Sequence, residues 1–419
     1  MYKISNVGKL TFIFSPFKGI ETASVGVFLG IGARFEDKKV KGIAHYLEHM
    51  VFKGSKKYSY RRIKREIEGR GGAVNAFTSQ EMTGYYASFL NKNLKPTLDI
   101  LLDMVLNPLL RESEIEKERN VILEEIKMYN DLPASRAGIL LDKLLWPHHP
   151  LGEEVTGYFS TVKKIKKADL DNFRKGFYLP SNTVISCAGD FKEENVRRLI
   201  ERKVSKVTSK AHFKKKIPLP LGGLHVNVER KELAQAHLCL GVRGVSYLSE
   251  ERFTAELINV ILGANMSSRL FEEIRERKAL CYDISTEVRK YKDSGAFVIH
   301  LGLDKNKIVV ALGSILKELT KLKKQLVSAK ELDRAKDYLL GQMAMGLERP
   351  QGKMFFLAES YLALGKIYTL GDIKKRVASI TASQIRELAS KILKFKNMCV
   401  SCIGDFDDNV GDKIKNVVS

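Results

Sequence analysis

A hexapeptide near the middle of the chain recurs near its end, and this repeat limits the possible folds more than any other feature. Residues 186–191 read Ser-Cys-Ala-Gly-Asp-Phe, and residues 401–406 read Ser-Cys-Ile-Gly-Asp-Phe, an offset of 215 residues. Each copy begins at the end of an apolar run typical of a strand, and an amphipathic helix is predicted after each copy. The repeat therefore predicts two similar domains, one over 1–208 and one over 224–419.

A chain of 419 residues is also longer than one compact core usually holds. The segment between the two domains, 209–223, is predicted to be a linker. It contains Lys214, Lys215 and Lys216, and then prolines and glycines without clear periodicity.

Strands and long helices occur in separate blocks within each half. Short apolar and β-branched runs predict strands at 10–14, 23–29, 73–78, 83–90, 224–230, 235–242, 281–289 and 294–302. Longer periodic segments predict helices at 39–52, 93–106, 112–130, 134–145, 250–262 and 267–277. This segregation favours an α+β fold, in which each domain packs a mostly antiparallel sheet against long helices.

The formal net charge of +22 raises the question of a nucleic-acid or membrane partner. The lysines are spread along the whole chain, and no basic run is interleaved with aromatic residues. No run reaches the roughly 20 apolar residues that a membrane span needs. We therefore interpret the charge as a solvated surface and expect no nucleic-acid or membrane partner.

The five cysteines are too few and too scattered for a disulfide scaffold. Cys399 and Cys402 form a C-x-x-C, but they lie on a predicted strand, where positions three apart point to opposite faces. We interpret them as buried structural residues. With no apparent signal peptide, the composition predicts a cytoplasmic protein.

The segment with a clear chemical signature is His45-Tyr46-Leu47-Glu48-His49, an H-x-x-E-H. On a helix, positions i, i+3 and i+4 share one face, so His45 and His49 can bind the same cation while Glu48 lies beside it. This is the zincin pattern with the order of the glutamate and the second histidine inverted.

A peptidase needs this combination of side chains. Zinc polarises the scissile carbonyl and lowers the pKa of water to about 7, and Glu48 is placed to accept the proton of that water. A catalytic zinc usually has three protein ligands, so a third ligand has to come from elsewhere in the chain.

The chain resembles the pitrilysin, insulysin and mitochondrial processing peptidase group of zinc peptidases over essentially its full length. Residues 45–54 (H-Y-L-E-H-M-V-F-K-G) resemble the metal-binding segment, and residues 71–79 (G-G-A-V-N-A-F-T-S) resemble the segment that follows it. Residues 118–126 (E-R-N-V-I-L-E-E-I) resemble the helix that carries the third ligand.

The resemblance implies that Glu125 is the third ligand and that Glu118 orients a histidine. Neighbouring helical residues point about 100° apart, so only one of Glu124 and Glu125 should face the metal. Spacing alone leaves that choice open, and the family match favours Glu125. One Zn²⁺ per subunit is implied.

The resemblance extends to the second half. Residues 267–275 and 279–282 are similar to a segment that brings an arginine and a tyrosine to the active site, which implies catalytic roles for Arg275 and Tyr282. A tyrosine hydroxyl suits the stabilisation of an oxyanion, and an arginine suits the binding of substrate. Read without the family, the pair would be an exposed arginine and a core tyrosine.

The family also implies that a peptide substrate pairs as an added strand near Ala73, Asn75 and Ala76. In members of this length, the metal site and the arginine–tyrosine pair come from different subunits around an enclosed chamber. The resemblance therefore implies a homodimer with two shared active sites.

Two other functions are compatible with parts of the sequence. The family includes respiratory-complex core proteins without activity, and such a structural subunit should lack part of the metal set, which here is complete. A polyanion-binding module is the other alternative, and it has no support beyond the net charge. We therefore expect an active zinc metalloendopeptidase.

Overall fold

The computed structural model describes residues 2–204 and 216–419. Contacts divide the chain into two compact units, and each unit is discontinuous in sequence. The first unit comprises the chain up to Lys127, a segment that begins at Glu153, and Met345–Ile367. The second comprises Met128–Gly152, the chain from Lys216 to Ala344, and Tyr368–Ser419.

The first unit contains a six-stranded sheet in the order β1-β2-β6-β3-β5-β4. Its strands are β1 (Lys3–Val7), β2 (Leu10–Pro16), β3 (Thr22–Leu29), β4 (Ala73–Thr78), β5 (Thr83–Leu90) and β6 (Thr183–Gly189). The pair β2 and β6 is parallel, and all other pairs are antiparallel.

The second unit contains a five-stranded sheet in the order β7-β11-β8-β10-β9. Its strands are β7 (His225–Arg230), β8 (Ala236–Arg243), β9 (Cys281–Lys290), β10 (Gly295–Leu303) and β11 (Cys399–Gly404). Here β7 and β11 are parallel and the other pairs antiparallel. The order β7-β11-β8-β10-β9 matches the order β2-β6-β3-β5-β4 of the first sheet, strand for strand along the chain, as the hexapeptide repeat predicts.

Fifteen α-helices accompany the two sheets in the described residues. Those before the second sheet are α1 (Ile43–Val51), α2 (Tyr60–Ile67), α3 (Leu94–Leu106), α4 (Glu112–Asp131), α5 (Pro133–Leu145), α6 (Phe159–Val162), α7 (Lys167–Phe177) and α8 (Glu193–Lys203). The rest are α9 (Arg252–Leu262), α10 (Ile308–Lys324), α11 (Ala329–Leu347), α12 (Pro350–Leu364), α13 (Leu370–Ala378), α14 (Ala382–Ile392) and α15 (Val410–Val418). A π-helix spans Phe271–Arg277.

Each sheet buries both faces. In the first unit, one face packs on α1, α3 and α8, and α12 covers the other face through Met354 and Leu357. In the second unit, α5 covers one face through Leu141 and Leu145. The helix α5 follows α4 in sequence yet belongs to the second unit, and α12 belongs to the first.

The α+β fold of two similar domains is confirmed, and three details differ from expectation. By contacts, α5 belongs to the second unit and α12 to the first, whereas contiguous domains at 1–208 and 224–419 would place each helix in the other domain. The contiguous domain bounds stay a prediction. The helix predicted over 39–52 is wrong at its start, because Gly42 has a φ of 94° and α1 begins after it. The helix predicted over 267–277 is a π-helix in its second part.

Some predictions fall on residues that the structure does not describe. Lys214 and Lys215, with the linker from 209 to 215, lie outside the described residues. Cys399 and Cys402 are fully buried on β11, as expected. Across 2–204 and 216–419, no helix is long and apolar enough to cross a membrane.

Candidate metal centre

The helix α1, which carries the H-x-x-E-H, is anchored at its first turn by a buried carboxylate. Glu36 accepts hydrogen bonds from the amides of Gly42 (2.9 Å) and Ala44 (2.8 Å). Burial raises the pKa of Glu36 to about 7, although the Lys41 ammonium and these two amides act in the opposite direction. A carboxylate in this place satisfies amides that no helical partner reaches and complements the helix dipole.

A close approach of backbone to backbone also fixes the start of α1. A Cβ built on Gly42 would lie 2.5 Å from the carbonyl oxygen of Thr156, and one built on Gly157 would lie 2.3 Å from that of Lys41. Both glycines have positive φ angles, 94° and 78°. Only glycine satisfies the conformation and the space together.

The second helix of the site, α4, is joined to α1 by a buried hydrogen bond. The fully buried Tyr46 donates from its hydroxyl to the carbonyl oxygen of Ile115 over 2.5 Å. Glu118 and Glu125 are two helical turns apart on α4, so both face α1. The two helices thus bring residues from distant parts of the sequence to one point.

Three donor side chains converge there. The Oε2 atom of Glu125 lies 3.6 Å from Nε2 of His45 and 3.5 Å from Nε2 of His49. Ligand atoms of all three residues lie within 4.8 Å of one another. The two imidazole centroids are 4.6 Å apart, with the rings at 65° to each other.

This donor set fits a zinc ion. Zn–N distances near 2.0–2.1 Å in a tetrahedral site place neighbouring ligand atoms about 3.3–3.4 Å apart. The separations of 3.5 and 3.6 Å between Glu125 and the two histidines are close to that value. Two imidazoles and one carboxylate are also a known catalytic zinc set, which leaves one position open.

A carboxylate behind the histidines orients one of them. Glu118 lies 3.1 Å from Nδ1 of His49 and is paired on its other side with Lys53. Burial alone would lower the pKa of His49, but Glu118 and Glu125 outweigh it and raise the pKa to about 9. Burial and the neighbouring His49 lower the pKa of His45. Without a metal, the proton in this pair therefore belongs to His49.

Glu48 lies beside the donor set and is half-buried. Its Oε2 atom accepts a hydrogen bond of 2.6 Å from the hydroxyl of Thr78. Burial raises the pKa of Glu48, while the Thr78 hydrogen bond and the charge of His49 oppose that rise. A carboxylate with a raised pKa, held in one orientation, is suited to general-base catalysis.

The structure separates the two neighbouring glutamates of α4. The side chain of Glu124 is 70% exposed and forms a surface ion pair with Lys127 at 2.6 Å, whereas Glu125 faces the histidines. Of the two candidates that spacing left open, the structure brings Glu125 to the donor set.

The segment predicted to pair with substrate lies on an edge strand. β4 pairs with β5 on one side and ends the sheet on the other. Ala73 and Asn75 are exposed and Ala76 is half-buried. The side-chain oxygen of Asn75 accepts a hydrogen bond of 2.8 Å from the amide of Ala76.

A cleft runs from this edge to the donor set. Its lining includes Glu48, His49 and Glu118 together with the apolar surfaces of Phe52, Tyr60 and Val74. The cleft therefore joins a free strand edge, an apolar wall and the candidate base.

Arg275 and Tyr282 belong to the second unit. The guanidinium carbon of Arg275 lies 4.5 Å from the ring centroid of Phe271 and 5.7 Å from that of Tyr282. Tyr282 is 76% exposed, so it is not the core residue that its sequence alone would suggest. The structure brings this pair together on a surface where a second molecule can reach the hydroxyl.

Three residues that support the site have no clear functional signal in the sequence. Lys53 and Thr78 lie inside the segments that carry the family resemblance, yet only the structure shows their contacts with Glu118 and Glu48. Glu36 precedes the H-x-x-E-H by nine positions, and its only sequence signal is an acidic residue shortly before a helix.

Comparisons with known proteins identify the family. The family described as "Insulinase (Peptidase family M16)" matches residues 15–157, and "Peptidase M16 inactive domain" matches residues 164–339. An uncharacterized zinc protease of Bacillus subtilis, YmxG, is 34% identical over 375 residues, which cover 89% of this chain and 91% of that protein. An uncharacterized zinc protease of Rickettsia bellii is 31% identical, covering 92% of this chain and 94% of that protein.

Solved structures with low sequence identity share the fold. A protease from Helicobacter pylori has a TM-score of 0.92 at 21% identity, covering 96% of this chain and 99% of that chain. A chain of Complex III2 from Candida albicans has a TM-score of 0.85 at 19% identity, covering 99% of each. These two likenesses concern the fold alone.

Proposed function

Because this chain belongs to the insulinase family of M16 peptidases, we propose that it is a zinc metalloendopeptidase that cleaves peptides or unfolded polypeptide segments. The observation that carries the proposal is the convergence of His45, His49 and Glu125 beside a half-buried Glu48. The names of its relatives, zinc proteases, point in the same direction.

In this proposal, His45, His49 and Glu125 hold one zinc ion per subunit. When bound, zinc supplies a Lewis acid that polarises the scissile carbonyl and lowers the pKa of water to about 7. Glu118 keeps the His49 ring oriented through its hydrogen bond at Nδ1, and Lys53 holds Glu118 in turn.

Glu48 moves the proton. It accepts a proton from the attacking water as the water oxygen bonds to the carbonyl carbon, and it delivers that proton to the leaving nitrogen as the C–N bond breaks. The hydrogen bond from Thr78 fixes which carboxylate oxygen is available. Substrate backbone pairs with the free edge of β4 near Ala73, Asn75 and Ala76, so recognition depends little on side-chain identity.

We further propose a homodimer in which Arg275 and Tyr282 of one subunit complete the metal site of the other around an enclosed chamber. The exposure of Tyr282 supports this arrangement, because a large aromatic side chain at 76% exposure is available to a partner. Its hydroxyl would stabilise the oxyanion, and Arg275 would bind the substrate.

The alternative of a structural subunit, like the core proteins of respiratory complexes, has less support. A subunit without catalysis has no need for the complete set of donors and base that this chain retains.

The direct test is peptide cleavage with metal analysis. We expect the purified protein to cut a mixture of unstructured peptides, to lose this activity with a chelator and to recover it with Zn²⁺. Absence of cleavage by fully zinc-loaded protein over a broad peptide mixture would favour the structural alternative.

A further inference from the structure

The helix α2 forms one wall of the cleft beside the donor set. Its side of the lining consists of Tyr60, Ile63, Lys64 and, just after the helix, Glu68. The buried Ile63 and Ile67 pack against the apolar core of the first unit and fix the rotation of α2 about its axis. The apolar residues of α2 therefore decide which of its charged residues face the cleft.

Three cations share one face of α2. Positions 61, 64, 65 and 68 are helical neighbours, so Arg61, Lys64, Arg65 and Glu68 lie along one strip. All four side chains are exposed. Because Lys64 and Glu68 line the cleft, Arg61 and Arg65 lie beside them at its rim. We call Arg61, Lys64 and Arg65 the basic strip, since three positive charges there face one negative charge.

Two neighbouring carboxylates do little to neutralise the basic strip. Glu66 is paired with Arg70 at 2.5 Å and lies 3.9 Å from Arg65. Glu118, which also lines the cleft, is paired with Lys53. The positive charge of the basic strip is therefore left to attract a ligand.

An aromatic ring positions the lysine of the basic strip. The Nζ atom of Lys64 lies 4.8 Å from the ring centroid of Tyr60, and that of Lys53 lies 5.5 Å from the same centroid. A cation over the face of a tyrosine ring keeps its charge and gains a preferred position. Tyr60 thus holds the Lys64 ammonium at the wall of the cleft.

A peptide that pairs with β4 would direct side chains toward α2. Val74 and Ala76 of β4 pack against the same apolar cluster as Ile63 and Ile67 of α2, so α2 lies on that face of the sheet. Alternate side chains of a strand point to the same face. Every second side chain of an added strand therefore points to the face on which the basic strip lies.

We propose that the substrates are acidic peptide segments, with Asp or Glu at alternate positions near the scissile bond, and that the basic strip selects them. This inference rests on the proposed peptidase function. Exposed charges act over a Debye length of about 8 Å at physiological ionic strength. At a rim they act mainly on the rate of association and on the choice of partner, and they disfavour basic peptides by repulsion.

Cleavage of matched peptides tests the proposal. One unstructured peptide is made in three versions, with Glu, Gln or Lys at alternate positions around its cleavage site. At low ionic strength we expect kcat/KM for the Glu version to exceed that for the Lys version at least about tenfold, since one exposed ion pair contributes up to about fivefold. Added salt should reduce this ratio.

Charge variants locate the preference on α2. Arg61→Glu/Lys64→Glu should reverse the preference, and Arg61→Gln/Lys64→Gln should bring the ratio close to one. The control Lys163→Glu/Lys164→Glu makes the same change in net charge at two exposed lysines outside the lining of this cleft, and it should keep the wild-type ratio. A wild-type ratio near one, or an equal change of the ratio in the control, overturns the proposal.

A binding measurement separates this inference from the proposed peptidase function. Fluorescence anisotropy of the labelled Glu and Lys peptides on zinc-loaded Glu48→Gln protein reports the preference without turnover. If the wild type cleaves nothing but the Glu peptide binds preferentially through Arg61 and Lys64, the peptidase function fails and acidic-peptide recognition stands. Equal binding of the two peptides overturns the inference. A single-stranded oligonucleotide that binds the basic strip more tightly than the Glu peptide also overturns it, in favour of a nucleic-acid surface.

Discussion

At the scale of single residues, the spacing in the sequence could not decide which of two adjacent glutamates is the third ligand of the candidate metal site. Glu124 and Glu125 are neighbours on α4, so their sequence separations from the H-x-x-E-H differ by only one residue. Their difference arises from packing, because the rotation of α4 against α1 decides which carboxylate faces the histidines. The two histidines and Glu48 needed no such information, since helical spacing alone places them on one face.

The two adjacent glutamates, Glu124 and Glu125, provide a matched pair of variants. We expect Glu125→Ala to weaken zinc binding by more than the roughly 10–100-fold that loss of a supporting residue costs. Glu124→Ala should leave zinc affinity unchanged, because Glu124 is at the surface with Lys127. Competition with a chromophoric chelator measures both, and equal losses in the two variants would contradict the assignment.

The proton on His49 makes zinc binding dependent on pH. The pKa of about 9 means that metal-free His49 is protonated at pH 7, and zinc can bind only the neutral ring. Zinc affinity should therefore rise with pH, by up to about tenfold per unit, and level off above pH 9. Titration calorimetry at pH 7 in buffers of different ionisation enthalpy should show about one proton released per zinc bound at this site. Zero release would contradict the protonation of His49.

At the scale of elements, the start of α1 is where the sequence-based prediction failed and where the structure is most constrained. The hydrophobic period continues through 39–42, which favours an earlier helix start. The positive φ of Gly42, its contact with Gly157 and the carboxylate of Glu36 are tertiary features with no periodic signal. They set where α1 begins and, with it, where the histidines lie.

Two glycine substitutions measure that constraint. Gly71 has a φ of 76° with no atom within 4 Å of an added Cβ, so Gly71→Ala should cost only the conformational strain of about 1–2 kcal/mol. Gly42→Ala adds an overlap with the backbone of Thr156 and should cost about 2–5 kcal/mol. Urea unfolding measures both. Equal costs would show that the close approach at Gly42 does not constrain the helix.

At the scale of the whole molecule, the repeat predicted the duplicated fold well, and it failed to predict the exchange of helices. The strand order β2 to β6 recurs in β7 to β11, as two copies of one domain require. Nothing in the periodicity of α5 or α12 indicates which sheet each covers, because an apolar face fits either sheet. Only the packing of Leu141 and Met354 shows it.

The proposed homodimer predicts complementation between two inactive chains. Glu48→Gln retains Tyr282, and Tyr282→Phe retains Glu48, so a mixed dimer contains one complete site of its two. With random assortment about half of the dimers are mixed, and activity should recover to about a quarter of the wild-type value. Stable mixed dimers without any recovery would argue that each chain completes its own site.

The central claim is that Glu48 acts as the base beside a zinc ion held by His45, His49 and Glu125. The most direct measurement is turnover of an unstructured peptide by Glu48→Gln, with its zinc content determined in the same sample. We predict zinc content equal to that of the wild type and a turnover at least about 10²-fold lower, because the proton acceptor is lost while the ligands remain. Wild-type turnover in a zinc-loaded Glu48→Gln protein would contradict the account.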